Sequence, residues 1–181
     1  MRVKDVLQFA FAVAVSEIAG VLGSFFTKPG IESGWYAGLM KHGLTPPDWV
    51  FGPVWTALYF LVGVSLYLAL RNGWRVKHLI FHERKAWNPI SERLWRGDWQ
   101  KINAIAVFSV HYILNILWSA VFFGLRETGL AFFVIVALWV SVVYVMANFY
   151  RISKPAAWLL VPYLLWVSFA TYLNFALWML N

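Results

Sequence analysis

The sequence predicts an all-α integral membrane protein built as a bundle of five transmembrane helices. Hydrophobic residues make up 61% of the 181-residue chain and charged residues only 13%, about half the usual charged share of a soluble domain. A soluble core of this size has no room for so many apolar side chains, so lipid must be the solvent. The remaining charges separate five long apolar stretches, which sets the number of spans.

Each apolar stretch has the length of a membrane-spanning helix. A hydrocarbon core of ~30 Å needs about 20 apolar residues in helical form, whereas barrel strands would alternate over about 10 residues. We expect the first helix to end at Lys28-Pro29-Gly30, because proline cannot continue it and glycine permits a turn. In one domain of residues 1–181, the predicted helices cover residues 6–27, 49–70, 102–125, 128–150 and 155–180.

The basic residues predict the orientation of the chain. Twelve Lys and Arg fall in the N-terminus and in the segments 71–101 and 151–154, while three (Lys28, Lys41 and Arg126) fall on the other side. Because cytoplasmic loops carry the excess of Lys and Arg, the N-terminus is predicted inside and the C-terminus outside, in a prokaryotic cell membrane. The net charge of +7 is then a topology signal, and no nucleic-acid partner is expected.

The longest connection, residues 71–101, is predicted to lie at the membrane interface. Its basic residues alternate with tryptophans; tryptophan prefers the headgroup level, and Lys and Arg attract anionic lipid. A short amphipathic helix fits this composition. His78 and His82 have the i, i+4 spacing of a helical metal pair, but a third ligand is missing. We therefore predict no metal site and no resident cofactor.

Polar groups inside the predicted spans are few. Glu17 lies midway along the first span, where a carboxylate is costly; it is either a functional acid or a protonated side chain bonded to a neighbouring helix. His111, Asn115 and Trp118 share a face of the third helix, which suits a polar-topped ligand cavity or simple packing. The chain has no Cys, which excludes thiolate catalysis, and no nucleophile–base pair or phosphate loop is recognisable.

The densest pattern opens the second predicted helix. Residues 45–59 read TPPDWVFGPVWTALY, with three prolines and a glycine. Irregular backbone at membrane depth is tolerated only against protein or a cavity, and the aromatic side chains can stack on a flat ligand. Residues 162–174, PYLLWVSFATYLN, repeat this combination in the last helix. Trp118 and Trp166 fall inside their spans, so an interfacial belt does not explain them.

These segments resemble the translocator protein family, whose members are also called tryptophan-rich sensory proteins or peripheral benzodiazepine receptors. The matching pieces occur in order from the first helix to the fifth. They are GVLGS at 20–24, WYAGL at 35–39, PPDWVFGPVW at 46–55, LNILWSAVFFG at 114–124, LVPYLLW at 160–166 and LN at 173–174.

The resemblance implies a five-helix bundle, often a homodimer, with a ligand pocket between the helices under the first loop. Its ligands would be porphyrins (protoporphyrin IX or haem) or similar lipophiles. His111 stands where the family commonly has Gln; it offers an imidazole that can ligate haem iron, or it packs and hydrogen-bonds to a neighbouring helix. The implied ligand-binding residues are Trp35, Tyr36, Trp49, Phe51, Trp55, His111, Asn115, Trp118, Trp166 and Ala170.

Three functions remain open at this point. The first is a membrane receptor or sensor that binds porphyrin. The second is an enzyme that degrades porphyrin in light, as some bacterial family members are implicated in doing, with Trp55 and Trp166 as its redox-active side chains. The third is a transporter of tetrapyrrole or lipid. The residues alone separate these functions poorly, because all three need the same aromatic pocket.

Overall fold

The computed structural model describes residues 3–80 and 91–181, with side chains for residues 3–71 and 103–181. The long helices are α1 (Val3–Glu32), α3 (Phe51–Ile80), α4 (Ser91–Ser119), α5 (Thr128–Ile152) and α7 (Val161–Leu180); the short helices α2 (Trp35–Gly38) and α6 (Lys154–Trp158) stand between them. Five segments are long and apolar enough to cross a membrane. The predicted all-α bundle of five transmembrane helices is confirmed.

Helix α1 continues past Pro29, where the sequence predicts its end. Proline lacks an N–H, but its own carbonyl still accepts a bond, and the N–H of Ser33 donates to it at 3.0 Å. One lost hydrogen bond near the last turn is therefore not enough to stop the helix. The stop comes at Gly34, which has a left-handed φ of 75°, a conformation that glycine adopts without steric cost.

Helices α3 and α4 both extend into the segment 71–101, which the sequence predicts as a connection. Helix α3 continues to Ile80 and α4 begins at Ser91. Hydropathy shows where the chain leaves the membrane, but it does not show where the helix ends. Because Arg and Lys are good helix formers, a helix can continue beyond the bilayer. Residues 81–90, including His82, lie outside the described residues, and the interfacial location stays a prediction.

Helix α4 ends in one wide turn. Residues Ala120–Gly124 form a π-helix, in which the N–H of Leu125 donates to the carbonyl of Ala120 at 2.9 Å. Such turns are rare and occur frequently at functional sites. The chain then reverses at Arg126, which has a φ of 61°, and enters α5.

The fifth span is two helices rather than the one that the sequence predicts over 155–180. The chain breaks between α6 and α7, at Leu159 and Leu160. Pro162 has no N–H to bond the carbonyl of Trp158, and its ring would crowd that carbonyl in a continuous helix. In the structure Pro162 occupies the first turn of α7, where its missing N–H costs nothing.

The closest helix contact joins α1 and α3. A Cβ atom built on Gly63 would lie 2.6 Å from the Cα of Val13 and 3.1 Å from the carbonyl oxygen of Ala12. Small residues allow this approach of two backbones, and they are the usual basis of helix association in lipid. It places α3 against α1 at Ala12 and Val13.

Candidate functional site

A cavity of about 680 Å³ lies between α1, α3, α4 and α7, within the usual size range of small-molecule sites. Tyr36 of α2 also lines it, as do Asp48 and Trp49 at the start of the second span. The loop between α2 and α3 therefore borders one end of the cavity.

Helix α1 contributes one face to the wall. Its lining residues recur every three or four positions, which is the period of a helix face. Small and polar side chains dominate this face, so ligand atoms can approach the helix closely. The residues that recur in this way are Glu17, Gly20, Val21, Ser24, Thr27, Lys28 and Ile31.

Trp55 is the centre of the aromatic wall. Its ring stacks on Tyr59, with centroids 5.4 Å apart and an angle of 26° between the planes, and it contacts Trp118 at 6.4 Å. The edge contact with Trp166 is also 6.4 Å between centroids. Offset and edge-to-face pairs of this kind each contribute about 0.5–1.5 kcal/mol beyond area burial, so the cluster is a rigid surface for a flat ligand.

A chain of buried hydrogen bonds stands behind this wall and links α3, α4 and α7. The hydroxyl of Tyr59 donates to Oδ1 of Asn115 at 2.6 Å, and Nδ2 of Asn115 donates to the hydroxyl oxygen of Tyr163 at 3.1 Å. Nε2 of His111 lies 2.9 Å from that same hydroxyl, so Tyr163 can donate its own proton to His111. The chain orients the amide of Asn115, while Nδ1 of His111 has no hydrogen-bond partner among the described residues.

A second pair of hydrogen bonds fixes the orientation of Trp118. Its indole N–H donates to Oδ1 of Asn174 at 2.9 Å, and Nδ2 of Asn174 donates to the carbonyl of Thr128 at 2.8 Å. Asn174 and Tyr59 both line the cavity, yet they are absent from the predicted site residues. Both occur in the two Trp- and Pro-containing segments, and an amide at membrane depth was the signal available for Asn174.

The structure brings most of the predicted ligand-binding residues to this one cavity. Trp166 stands behind the wall, against Trp55 and Phe51. Trp35 packs on Phe122 and Phe123. Trp166, Trp35 and His111 do not line the cavity. The predicted residues that do line the cavity are Tyr36, Trp49, Phe51, Trp55, Asn115, Trp118 and Ala170.

His111 lies in the packed interior, with only 5% of its surface exposed. Its Nε2 is engaged by Tyr163, and the residue does not line the cavity, so His111 is not placed to ligate a molecule bound there. We expect His111→Gln to leave the absorption spectrum of a bound haem unchanged, as in the matched variant His42→Gln. Loss of an iron–imidazole band in His111→Gln alone would contradict this placement.

The loop over the cavity is fastened at several points. Nζ of Lys41 lies 3.5 Å from the carboxylate of Asp48 and 3.9 Å from the ring centroid of Tyr36. The side chain of Asn181 pairs with both backbone groups of Met40, accepting from its N–H at 3.0 Å and donating to its carbonyl at 3.2 Å. His42 contacts the hydroxyl of Tyr172 at 3.2 Å, so the loop is held against α7.

Tyr36 ties the stability of this loop to pH. Burial, reinforced by the negative charge of Asp48, raises the pKa of Tyr36 to about 12, whereas an unfolded Tyr loses its proton near pH 10. Between these values the unfolded state binds fewer protons than the folded state, so stability falls as pH rises. We expect Tyr36→Phe to flatten this part of the profile.

Thermal unfolding in detergent between pH 9 and 12 measures the effect of Tyr36. The exposed Tyr150 provides the matched control, because Tyr150→Phe removes one hydroxyl without touching the loop. Equal slopes for the wild type and Tyr36→Phe would show that Tyr36 does not couple the fold to pH.

Fold and site together define a multi-pass membrane protein with an aromatic cavity of small-molecule size between its helices. Residues 12–179 match the model of the TspO/MBR family, and the chain belongs to that family. The resemblance seen in the sequence motifs is thus confirmed.

Three relatives illustrate the extent of the match. The chain is 37% identical over 179 residues to the tryptophan-rich protein TspO of Chlorobaculum tepidum, covering 98% of both chains. It is 35% identical over 144 residues to the translocator protein of Homo sapiens, covering 80% of this chain and 73% of the relative. It is 33% identical over 147 residues to the tryptophan-rich sensory protein of Cereibacter sphaeroides, covering 81% and 77%.

Proposed function

We propose that this protein is a membrane receptor that binds porphyrins, or flat lipophilic molecules of similar size, in the cavity between its helices. The observation that carries the proposal is the aromatic wall around Trp55 on a cavity of about 680 Å³. A porphyrin has a flat, largely apolar macrocycle, which can stack on such rings. The name of the sensory relative in Cereibacter sphaeroides is compatible with a receptor.

The charged end of the cavity suits the acidic substituents of a porphyrin. Lys28 lines the cavity and pairs with Glu32 at 3.8 Å, with both side chains largely exposed. An exposed pair of this kind contributes little stability, so Lys28 can exchange Glu32 for a ligand carboxylate. The ring would then lie deeper, against Trp55 and Trp118.

Titration of the purified protein with protoporphyrin in the dark tests the receptor. We expect saturable quenching of tryptophan fluorescence and a shifted porphyrin absorption band in lipid nanodiscs. Empty nanodiscs are the control for partition into lipid. Porphyrin spectra that are the same with and without protein would refute the proposal.

A light-dependent enzyme is the second candidate, and one observation favours it. Trp55 and Trp166 are in edge contact, with centroids 6.4 Å apart, so an oxidised Trp55 has a redox-active neighbour directly behind it. Illumination of the same samples separates the two functions. With a receptor, the porphyrin absorbance falls in light at the same rate as without protein. With an enzyme, it falls faster.

The orientation of the chain is also proposed, with the N-terminus inside a prokaryotic membrane. Twelve basic residues on one side against three on the other support this orientation. Reporter fusions at Asn181 and within residues 81–90 should show opposite accessibilities. The same accessibility at both positions would contradict the topology. Association into a homodimer is proposed from the family resemblance, and the mass of the detergent-solubilised protein tests it.

A further inference from the structure

Glu17 is an acidic group at the inner end of the cavity. It lies in the middle of the span Val3–Glu32, and its side chain lines the cavity with Gly20 and Ser24 on the same face of α1. The ring of Tyr59 packs directly on Gly20, one turn away, where a Cβ atom would meet it at 2.8 Å. The carboxyl group is therefore next to the aromatic wall.

Glu17 differs from the other two acidic residues that line the cavity. Glu32 lies 3.8 Å from Lys28, and Asp48 lies 3.5 Å from Lys41. No basic side chain lies within ion-pair distance of Glu17 in the part of the chain whose side chains are described. Fifteen residues separate Glu17 from Glu32, which is about 22 Å along a helix axis, so Glu17 is remote from the paired charges.

An acidic group at membrane depth is costly, and it is retained where it meets a cation or a substrate. The cavity supplies the space for such a partner, and the neighbouring rings favour a cation over an anion because their faces are electron-rich. The missing positive charge can thus be brought by the ligand.

We propose that Glu17 is the counter-ion for a protonated amine, so that the cavity also accepts flat lipophilic amines with the ammonium group beside Glu17. This inference rests on the proposed function, because it assigns a further ligand class to the same cavity. A porphyrin presents its acidic groups to Lys28 at the outer end, whereas an amine presents its charge to Glu17 at the inner end.

Two pyrene derivatives of matched shape test the inference. Pyrenemethylamine is protonated at neutral pH, and pyrenemethanol is its uncharged counterpart. Energy transfer from tryptophan to pyrene reports their binding to the protein in nanodiscs of zwitterionic lipid, after subtraction of the signal from bulk lipid. We expect the wild type to bind the amine about tenfold more tightly than the alcohol, since ion pairs in a low-dielectric site are strong.

The variants assign this preference to one side chain. Glu17→Gln should bring the two affinities close to each other, whereas Glu127→Gln, which removes an exposed charge outside the cavity, should leave the preference intact. Glu17→Asp keeps the charge and should retain most of the preference. The wild-type comparison needs no variant, so poor folding of Glu17→Gln does not prevent the test.

The result that overturns the inference is an equal affinity of the wild type for the two pyrenes. If protoporphyrin still binds in that case, only the amine site is refuted and the porphyrin receptor stands. If neither protoporphyrin nor either pyrene binds, the receptor and the amine site are refuted together. A preference for the amine that persists in Glu17→Gln also refutes the assignment to Glu17.

Discussion

Replacing Gly63 by alanine should destabilise the bundle by about 1–3 kcal/mol, the usual cost of an extra methyl group in a tightly packed site. The new Cβ would lie 2.6 Å from the Cα of Val13, and a backbone atom cannot move aside as the tip of a side chain can. Helices α1 and α3 would have to separate. Thermal unfolding in detergent, followed by circular dichroism, measures the loss.

Gly52 provides the matched control in the same helix. Apart from its chain neighbours and its own helix backbone, a Cβ atom built there meets no atom within 4 Å among the described residues, and alanine has the higher helix propensity. Gly52→Ala should therefore leave the unfolding temperature unchanged or raise it slightly. Equal unfolding temperatures for Gly63→Ala and Gly52→Ala would show that the α1–α3 contact is looser than described.

Replacing Trp55 by alanine should weaken porphyrin binding about tenfold or more. Trp55 touches Tyr59, Trp118 and Trp166, so its removal takes away the central ring of the wall and the support of its neighbours. A single aromatic pair contributes about 0.5–1.5 kcal/mol beyond area burial, and about 1.4 kcal/mol is a tenfold change in affinity. The shift of the porphyrin absorption band on titration gives the affinity.

Trp158→Ala is the control, because Trp158 is 66% exposed and is not a lining residue of the cavity. This variant loses one indole but keeps the aromatic wall, so its affinity for porphyrin should equal that of the wild type. Trp55→Phe keeps a ring in place and should weaken binding only modestly. If the enzyme alternative holds, Trp55→Phe should nevertheless abolish light-dependent loss of porphyrin. Equal affinities in Trp55→Ala and Trp158→Ala would place the ligand elsewhere.

Most of the fold could be predicted because lipid constrains the chain so strongly. Backbone groups in a bilayer must bond within their own helix, so apolar length alone identifies the spans. The same rule does not predict where a helix ends once it has left the hydrocarbon core. Hydropathy therefore predicts an end near residue 70 for α3, which instead continues to Ile80.

The aromatic wall around Trp55 was accessible to sequence reasoning, whereas the placement of His111 was not. Trp55 and Trp118 stand in dense motifs with proline, glycine and asparagine, and such residues at membrane depth point to a cavity. The role of His111 depends on which side chain of another helix covers it. That side chain is Tyr163, 52 residues further along the chain, and only the relative position of α4 and α7 brings the two together.

The π-helix is beyond sequence reasoning for a similar reason. Residues Ala120–Gly124 read AVFFG, and nothing in this sequence requires a wide turn. The turn is determined by packing, since Phe122 is buried while a Cβ atom at Gly124 would lie 3.2 Å from the ring of Phe26 on α1. Local propensity is a weak guide where tertiary contacts decide.

The fastened loop has a consequence for how long a ligand stays. A ligand that passes between this loop and α7 has to break the contacts of Met40 with Asn181 and of His42 with Tyr172. Opening and closing of such a loop slows entry and exit alike, so it lengthens the residence time without changing the equilibrium affinity.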